Sequence, residues 1–129
     1  MKAKKTKRPR PKMPPISEEM KQWSVMLGQE LSGWPQVSSR PMFGMLGFYR
    51  RKKIFAALPV SRAIGTPNSV IFRFDPMPPD LKQRALKESR ITTDSETPGP
   101  RRWFTFEIGS TADLRDALWW LNHAYERTK

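Results

Sequence analysis

The stretch from Arg40 to Pro59 limits the possible folds of this chain more than any other. Residues 40–49 are mostly apolar or aromatic, and residues 54–58 form a second apolar run that ends at a proline. The four consecutive cations Arg50 to Lys53 separate the two runs. Because apolar runs joined by a short polar segment are typical of a β-hairpin, we predict two strands connected by a basic turn.

Gly44 and Gly47 interrupt the first of these predicted strands. A glycine inside a strand usually marks a bulge or a close approach of another backbone. The Gly-x-x-Gly spacing also matches the loop with which KH domains clamp a nucleic-acid backbone, but here the two central residues are apolar and lie in a strand. We therefore interpret both glycines as packing positions.

Two long helices are predicted from their caps and their apolar periodicity. Ser17 is a favourable N-cap, Glu18 and Glu19 suit the positive end of the helix dipole, and the helix is predicted to end at Ser32, before Gly33. Its apolar positions recur at intervals of three and four and are Met20, Trp23, Met26, Leu27 and Leu31.

The second long helix follows Ser110 or Thr111, either of which can cap it, with Asp113 at the spacing of a capping box. His123 points away from its apolar stripe, which predicts a solvated imidazole, and Trp119 lies at the side of the helix. The stripe consists of Leu114, Ala117, Leu118, Leu121, Ala124 and Tyr125.

Two further strands are predicted at residues 70–75 and 103–108 because their apolar residues alternate with polar ones. In the second, Trp103 is expected on the same side as Arg73 of the first, or at its flank. The residues predicted to face the core are Val70, Phe72, Phe74, Phe104, Phe106 and Ile108, whereas Ile71 and Arg73 face the other way.

A short helix and a long loop connect these two strands. Asp80 is predicted to cap the helix, in which Leu81, Ala85 and Leu86 share one side. Residues 88–102 are rich in Ser, Thr, Asp, Pro and Gly, which predicts a surface loop. Ile91 alone is expected to be buried there.

This order of elements predicts one α+β domain over residues 16–129, with an antiparallel sheet of four strands. A helix begins the domain, a short helix precedes the last strand, and a long carboxyl-terminal helix packs on one face of the sheet. Residues 1–15 contain seven cations and four prolines with few apolar side chains. We expect them to form a disordered basic arm.

The arm carries more than half of the net charge of +12. The rest of the chain has 17 basic and 12 acidic residues. This imbalance predicts a polyanionic partner, with nucleic acid first and an anionic membrane surface second, although a solubilising tail accounts for the same charges. Because no apolar run reaches the ~20 residues of a membrane span and no signal-peptide region follows the basic start, we expect a cytoplasmic protein.

The basic turn is the main candidate for phosphate contact, since its adjacent cations cannot neutralise one another. A merely solvated hairpin tip is the alternative. On the outer face of the sheet, Arg73 and Trp103 can bind a phosphate and stack on a base, or stack on each other. The predicted nucleic-acid-binding residues are Lys4, Lys5, Lys7, Arg8, Arg10, Arg50, Arg51, Lys52, Lys53, Arg73, Arg101, Arg102 and Trp103.

Trp119 is the candidate for protein interaction, because an exposed tryptophan commonly anchors an interface. It would contact a protein partner or a second copy of the chain. Alternatively, it belongs to a second small core with Trp34 or the arm.

Catalysis has little support in the sequence. The chain has no Cys and a single His, so neither a nucleophile pair nor a metal site is predicted. No spacing joins two carboxylates into an acid–base pair. We predict no catalytic residue, no metal and no cofactor.

Several motifs resemble the amino-terminal domain of the TfoX/Sxy competence regulators and the related MmcQ/YjbR-like proteins. The chain departs from the second group at Arg73, where Lys is usual, and at Ala124, where Ser is common, and no second, helical TfoX domain follows. The matching segments are Arg40-Pro-Met-Phe-Gly44, Gly47-Phe-Tyr49 and Phe55-Ala56 for the first group, and Arg73-Phe-Asp75-Pro76, Arg102-Trp103 and Ala124-Tyr125-Glu126 for the second.

The resemblance covers residues 17–127 and implies a double-wing fold of the nucleic-acid-binding kind. We therefore expect a non-catalytic nucleic-acid-associated or regulatory protein that contacts phosphates through its arm and hairpin tip. The alternative is a protein-interaction module, which could be dimeric, with a solubilising tail.

Overall fold

The computed structural model describes residues 13–64, 66–74, 78–93 and 103–128. The predicted α+β class, with a helix near each end of the chain, is confirmed. Within the described residues the elements are α1 (Glu18–Ser32), β1 (Val37–Met42), β2 (Met45–Arg50), β3 (Lys53–Pro59), β4 (Ser69–Arg73), α2 (Pro79–Leu86), β5 (Ile91–Thr93), β6 (Trp103–Glu107) and α3 (Asp113–Glu126).

The strands form one antiparallel sheet in the order β1-β2-β3-β4-β6-β5. The predicted number of four strands is wrong, since the sheet of the described residues has six. Side chains from all three helices pack against one face of the sheet, around Phe48, Phe72 and Phe106. The other face carries a small apolar cluster of Met45, Ala57 and Ile71.

The first predicted strand is in fact the hairpin β1–β2. Phe43 and Gly44 form its two-residue turn with φ angles of 48° and 80°, as a type I′ turn requires. Met42 pairs with Met45 on either side of the turn. Gly44 is therefore a turn residue, whereas Gly47 is a close-packing position, since an added Cβ there would lie 2.7 Å from Met42 Sδ.

The β2–β3 hairpin is confirmed, but its turn is shorter than predicted. Arg50 and Lys53 already pair with each other as strand residues. A bulge follows, because Tyr49 pairs with Ile54 while Phe48 pairs with Ala56. The unpaired Phe55 is turned into the core beneath the helices.

Helix α1 is close to its prediction. The Ser17 hydroxyl accepts a hydrogen bond from the Met20 N–H at 3.0 Å, as an N-cap does. Met26 is exposed, contrary to expectation, and Ser24 is buried in its place.

Helices α2 and α3 begin differently from their predictions. Asp80 does not cap α2: Pro78 occupies the N-cap and Asp80 lies exposed in the first turn. Leu86 is also exposed, although it was expected on the buried side. In α3 the N-cap is Ala112 instead of Ser110 or Thr111. Asp113 nevertheless accepts from the Ser110 N–H at 3.2 Å, the bond that the predicted capping-box spacing implies, and also from the Gly109 N–H at 2.7 Å.

The predicted loop at 88–102 is wrong at residues 91–93, which form β5 on the edge of β6. Arg90, just before β5, donates hydrogen bonds to Glu88, Asp113 and Asp116 at 2.7–2.9 Å. These ion pairs join the edge strand to the start of α3. They raise the pKa of Arg90, and the Arg90 side chain lowers the pKa of Glu88.

Gly44→Ala should destabilise the fold by about 1–3 kcal/mol. Its φ is left-handed, and the added Cβ would lie 2.9 Å from Arg62 Cγ and 3.0 Å from Ser61 Oγ. Urea denaturation measures the loss. Gly33→Ala is the control: its φ is −84° and its Cβ has ordinary contacts, so stability should not fall. Equal losses for both variants would contradict this account.

Asp113→Asn should lower the free energy of unfolding at pH 7 by about 1–3 kcal/mol. The Gly109 N–H first, and the Arg90 guanidinium with it, lower the pKa of Asp113. Because the pKa of Asp113 is lower in the folded state than in the unfolded state, its carboxylate stabilises the fold fully above the unfolded-state pKa of about 3.9. This stabilisation is lost as the pH falls through the folded-state pKa. The gap between wild type and variant, measured by thermal unfolding, should therefore close below about pH 4. The exposed Asp80→Asn serves as the control and should show no such gap.

Candidate nucleic-acid interface

Arg50 is held in the fold instead of standing at the hairpin tip. Its Nη1 donates to the carbonyl oxygens of Tyr125 at 2.9 Å and Thr128 at 3.1 Å, and its guanidinium lies 4.4 Å from the Tyr125 ring centroid. The last carbonyls of a helix lack partners within the helix and attract cations. Arg50 thus fixes the end of α3 against the hairpin.

The tip itself consists of Arg51 and Lys52, both of which are exposed. The Arg51 N–H donates to the Gln36 carbonyl at 2.9 Å, and Arg51 adopts a φ of 59°. This bond ties the turn to the α1–β1 connection. The backbone of the tip is therefore fixed while its two cationic side chains reach solvent.

A polar cleft of about 230 Å³ lies beside the tip, at the end of the sheet where β3 begins and β4 ends, next to the end of α3. Lys53 of β3, Arg73 of β4 and Arg127 after α3 all line it. The rest of its described lining is Ile54, Phe74, Ala124 and Thr128, with no acidic residue among them. The fold thus brings three cations together from positions up to 74 residues apart in the sequence.

Arg73 and Trp103 lie directly opposite each other on β4 and β6, as predicted. Directly opposed residues of an antiparallel pair share one face of the sheet, and here it is the face away from the helices, because their neighbours Phe72 and Phe104 are in the core. Trp103 keeps 37% of its surface exposed. On β1 and β2 of this sheet, the Arg40 guanidinium lies 5.6 Å from the Tyr49 ring centroid.

Trp119 lies in a tighter setting than an exposed anchor would have. Arg84 of α2 lies 4.2 Å from its ring centroid, and the rings of His123 and Trp120 lie at 4.1 and 4.9 Å. Trp34 packs elsewhere, against Phe55 and Tyr125. The alternative of a small core shared by Trp119 and Trp34 is therefore wrong.

His123 is half-buried, so the predicted solvated imidazole is wrong. Burial lowers its pKa, and the nearby Arg127 cation acts in the same direction. Among the described side chains, no group of three or more His, Asp or Glu could hold a metal ion. The described helices are also too short or too polar to cross a membrane.

Seven predicted cations fall outside the described part of the chain. They are Lys4, Lys5, Lys7, Arg8, Arg10, Arg101 and Arg102. Arg127, which lines the cleft just after α3, was not predicted as a binding residue. A basic residue near a helix carboxyl terminus commonly marks the end of the helix, and this signal could have drawn attention to it.

Comparison of the chain with protein-family models, with curated proteins and with solved structures found no match.

Replacing Arg50 should cost stability, whereas replacing its neighbour Lys52 should not. Arg50→Gln removes the hydrogen bonds to the Tyr125 and Thr128 carbonyls and the contact with the Tyr125 ring, which together we expect to cost about 1–3 kcal/mol. The exposed Lys52→Gln should change the free energy of unfolding by less than about 0.5 kcal/mol. Urea denaturation of both variants separates a structural arginine from a solvated one, and similar stabilities would contradict the assignment.

Proposed function

We propose that this protein binds nucleic acid without catalysing a reaction. The observation that carries the proposal is the cleft in which Lys53, Arg73 and Arg127 meet. Cations held together by different elements cannot neutralise one another, and they raise the local potential for an anion. Phosphate suits such a site because guanidinium groups bind it through two parallel hydrogen bonds and ammonium groups as point charges.

The hairpin tip extends this cleft into a continuous basic surface. Arg51 and Lys52 adjoin Lys53 in the chain, so the tip and the described lining of the cleft bring five basic residues to one end of the sheet. Arg50 acts here by positioning, because it holds the helix end that carries Arg127. In our proposal the arm, with Lys4, Lys5, Lys7, Arg8 and Arg10, adds further phosphate contacts that do not depend on base sequence.

The exposed ring of Trp103 favours the binding of single-stranded over duplex nucleic acid. A ring that is partly exposed and lies opposite an arginine can stack on an unpaired base while the arginine contacts its phosphate. Duplex bases are stacked already and do not offer this contact. We therefore propose phosphate binding in general, with an additional gain for single strands.

We also propose that the chain is related to the TfoX/Sxy amino-terminal domains and the MmcQ/YjbR-like proteins, and that it is located in the cytoplasm. The Met-Phe-Gly motif corresponds to the end of β1 and its turn, and Gly47 to a packed position in β2. Both features are structural roles that a family motif can preserve. Trp119 supports the competing role in protein interaction less well, because Arg84 and His123 already lie on its ring.

Binding of the full chain to single-stranded and duplex DNA at about 50 and 200 mM salt tests this function. The variant Arg51→Gln/Lys52→Gln/Lys53→Gln should bind more weakly, and its log–log salt slope should be smaller by roughly 2 to 3. The control Lys82→Gln/Lys87→Gln/Arg115→Gln removes the same charge from α2, its C-cap and α3, and it should behave much more like the wild type.

Equal weakening by both triple variants would mean that net charge alone drives binding, which contradicts a site at the tip. Replacing Lys4, Lys5, Lys7, Arg8 and Arg10 with Gln measures the share of the arm separately. If only that variant loses binding, the interface is confined to the arm. No binding of the wild type at the lower salt concentration would overturn the function.

A further inference from the structure

Phe43 is the most exposed large apolar side chain among the described residues, with 84% of its surface in solvent. It also has a φ of 48° in the β1–β2 turn, a conformation that suits Asn, Asp or Gly better than an aromatic residue. No ring contact within the described residues involves it. A strained, exposed aromatic side chain on a fixed turn indicates a binding role.

An apolar groove of about 620 Å³ lies between α1 and the strands β2 and β3. Val25 and Val60 stand at its rim with 58% and 54% of their surfaces exposed, and Leu46 and Leu58 line its wall. Gly28 of α1 also lines the groove, where it adds no side chain to fill the space. A groove of this size is ample for an aromatic side chain.

The protruding ring and the groove are neighbours in the fold. The Gly44 carbonyl accepts hydrogen bonds from the N–H groups of Val60, Ser61 and Arg62 at 2.9–3.1 Å. This three-way contact fixes the turn that carries Phe43 beside the Val60 rim of the groove. The exposure of Phe43 shows that its ring does not fill the groove of its own chain.

We propose that two copies of this chain associate through this surface, with Phe43 of each copy inserted into the groove of the other. A projection and a recess side by side on one surface are self-complementary under a two-fold rotation, which is how symmetric dimers form.

Charge also favours a second copy as the occupant. The chain carries a net charge of +12, so most surfaces of two copies repel each other. Among the described residues that line the groove, Lys21 alone is charged, and its Nζ is paired with Glu18 Oε2 at 2.9 Å. The described lining of the groove itself therefore opposes no unpaired like charges when two copies meet, and the exposed Arg62, which packs on the turn at Gly44, lies outside this lining. The basic tip stays free, because it lies at the other end of β2.

Sedimentation equilibrium of the full chain, cleared of nucleic acid, tests the proposal from about 1 to 500 µM. The wild type should pass from monomer to dimer over this range. Phe43→Asn should remain monomeric at least tenfold higher in concentration, while its melting temperature stays equal or rises, because Asn tolerates the positive φ. That combination separates a binding role from a structural one.

Two further variants complete the test. Val60→Asp places a charge at the rim and should also prevent the dimer, whereas Leu86→Asn removes an apolar side chain of 69% exposure on α2 and should leave it intact. A wild type that stays monomeric throughout would overturn the proposal. So would a dimer that survives both Phe43→Asn and Val60→Asp, or growth beyond a dimer. Because no nucleic acid is present, these outcomes are independent of the proposed function.

Discussion

The junction around Tyr125 holds together parts of the chain that are distant in sequence. The Tyr125 hydroxyl donates to the Pro35 carbonyl at 2.7 Å, its ring packs on Trp34 and Phe55, and Arg50 lies over it. The α1–β1 connection, both strands of the basic hairpin and the end of α3 thus meet at one side chain. Since aromatic burial and the satisfied hydroxyl act together, the position of the hairpin tip relative to α3 is defined there.

That junction also separates the two surfaces proposed to bind partners. It places the cleft cations at one end of the sheet, while the Phe43 turn and the apolar groove lie at the other end of β2. Strand β2 has six residues, which corresponds to about 17 Å between its ends. The proposed contact between copies thus lies away from the cations of the cleft, whereas the basic residues before Met13 join the fold beside it, at the loop after β3.

Much of this fold could be predicted where the pattern is local and regular. The cap and spacing of α1 and the alternation in β4 and β6 follow from neighbouring residues, so Ser17, Phe72 and Trp103 are where the sequence predicts them. The break between β1 and β2 could not be predicted as easily, because Phe43 is not a residue that usually takes a positive φ. Strand β5 has only three residues, too few for a periodic signal.

The candidate site was less predictable than the fold, since its geometry depends on contacts between distant residues. In the sequence Arg50 belongs to the charged turn, because its partner Tyr125 lies 75 residues further along the chain. Arg127 enters the cleft only because α3 ends there, and Trp119 loses its apparent exposure because α2 packs beside it. A charge pattern locates cations in the sequence, but only the packing decides which of them reach a ligand.

The point at which the predicted basic arm joins the fold bears on the proposed binding of a long polyanion. Met13 is tied to the loop after β3 by the Arg62 guanidinium, which donates to its carbonyl at 3.1 Å, and Ala63 donates to the Pro14 carbonyl at the same distance. The tether point therefore lies at the opposite end of β3 from Lys53, roughly 20 Å away. Under the proposed function, a nucleic acid bound at the tip would have the cations that precede Met13 joined to the same fold. A contact with them would then be intramolecular, which raises their effective concentration.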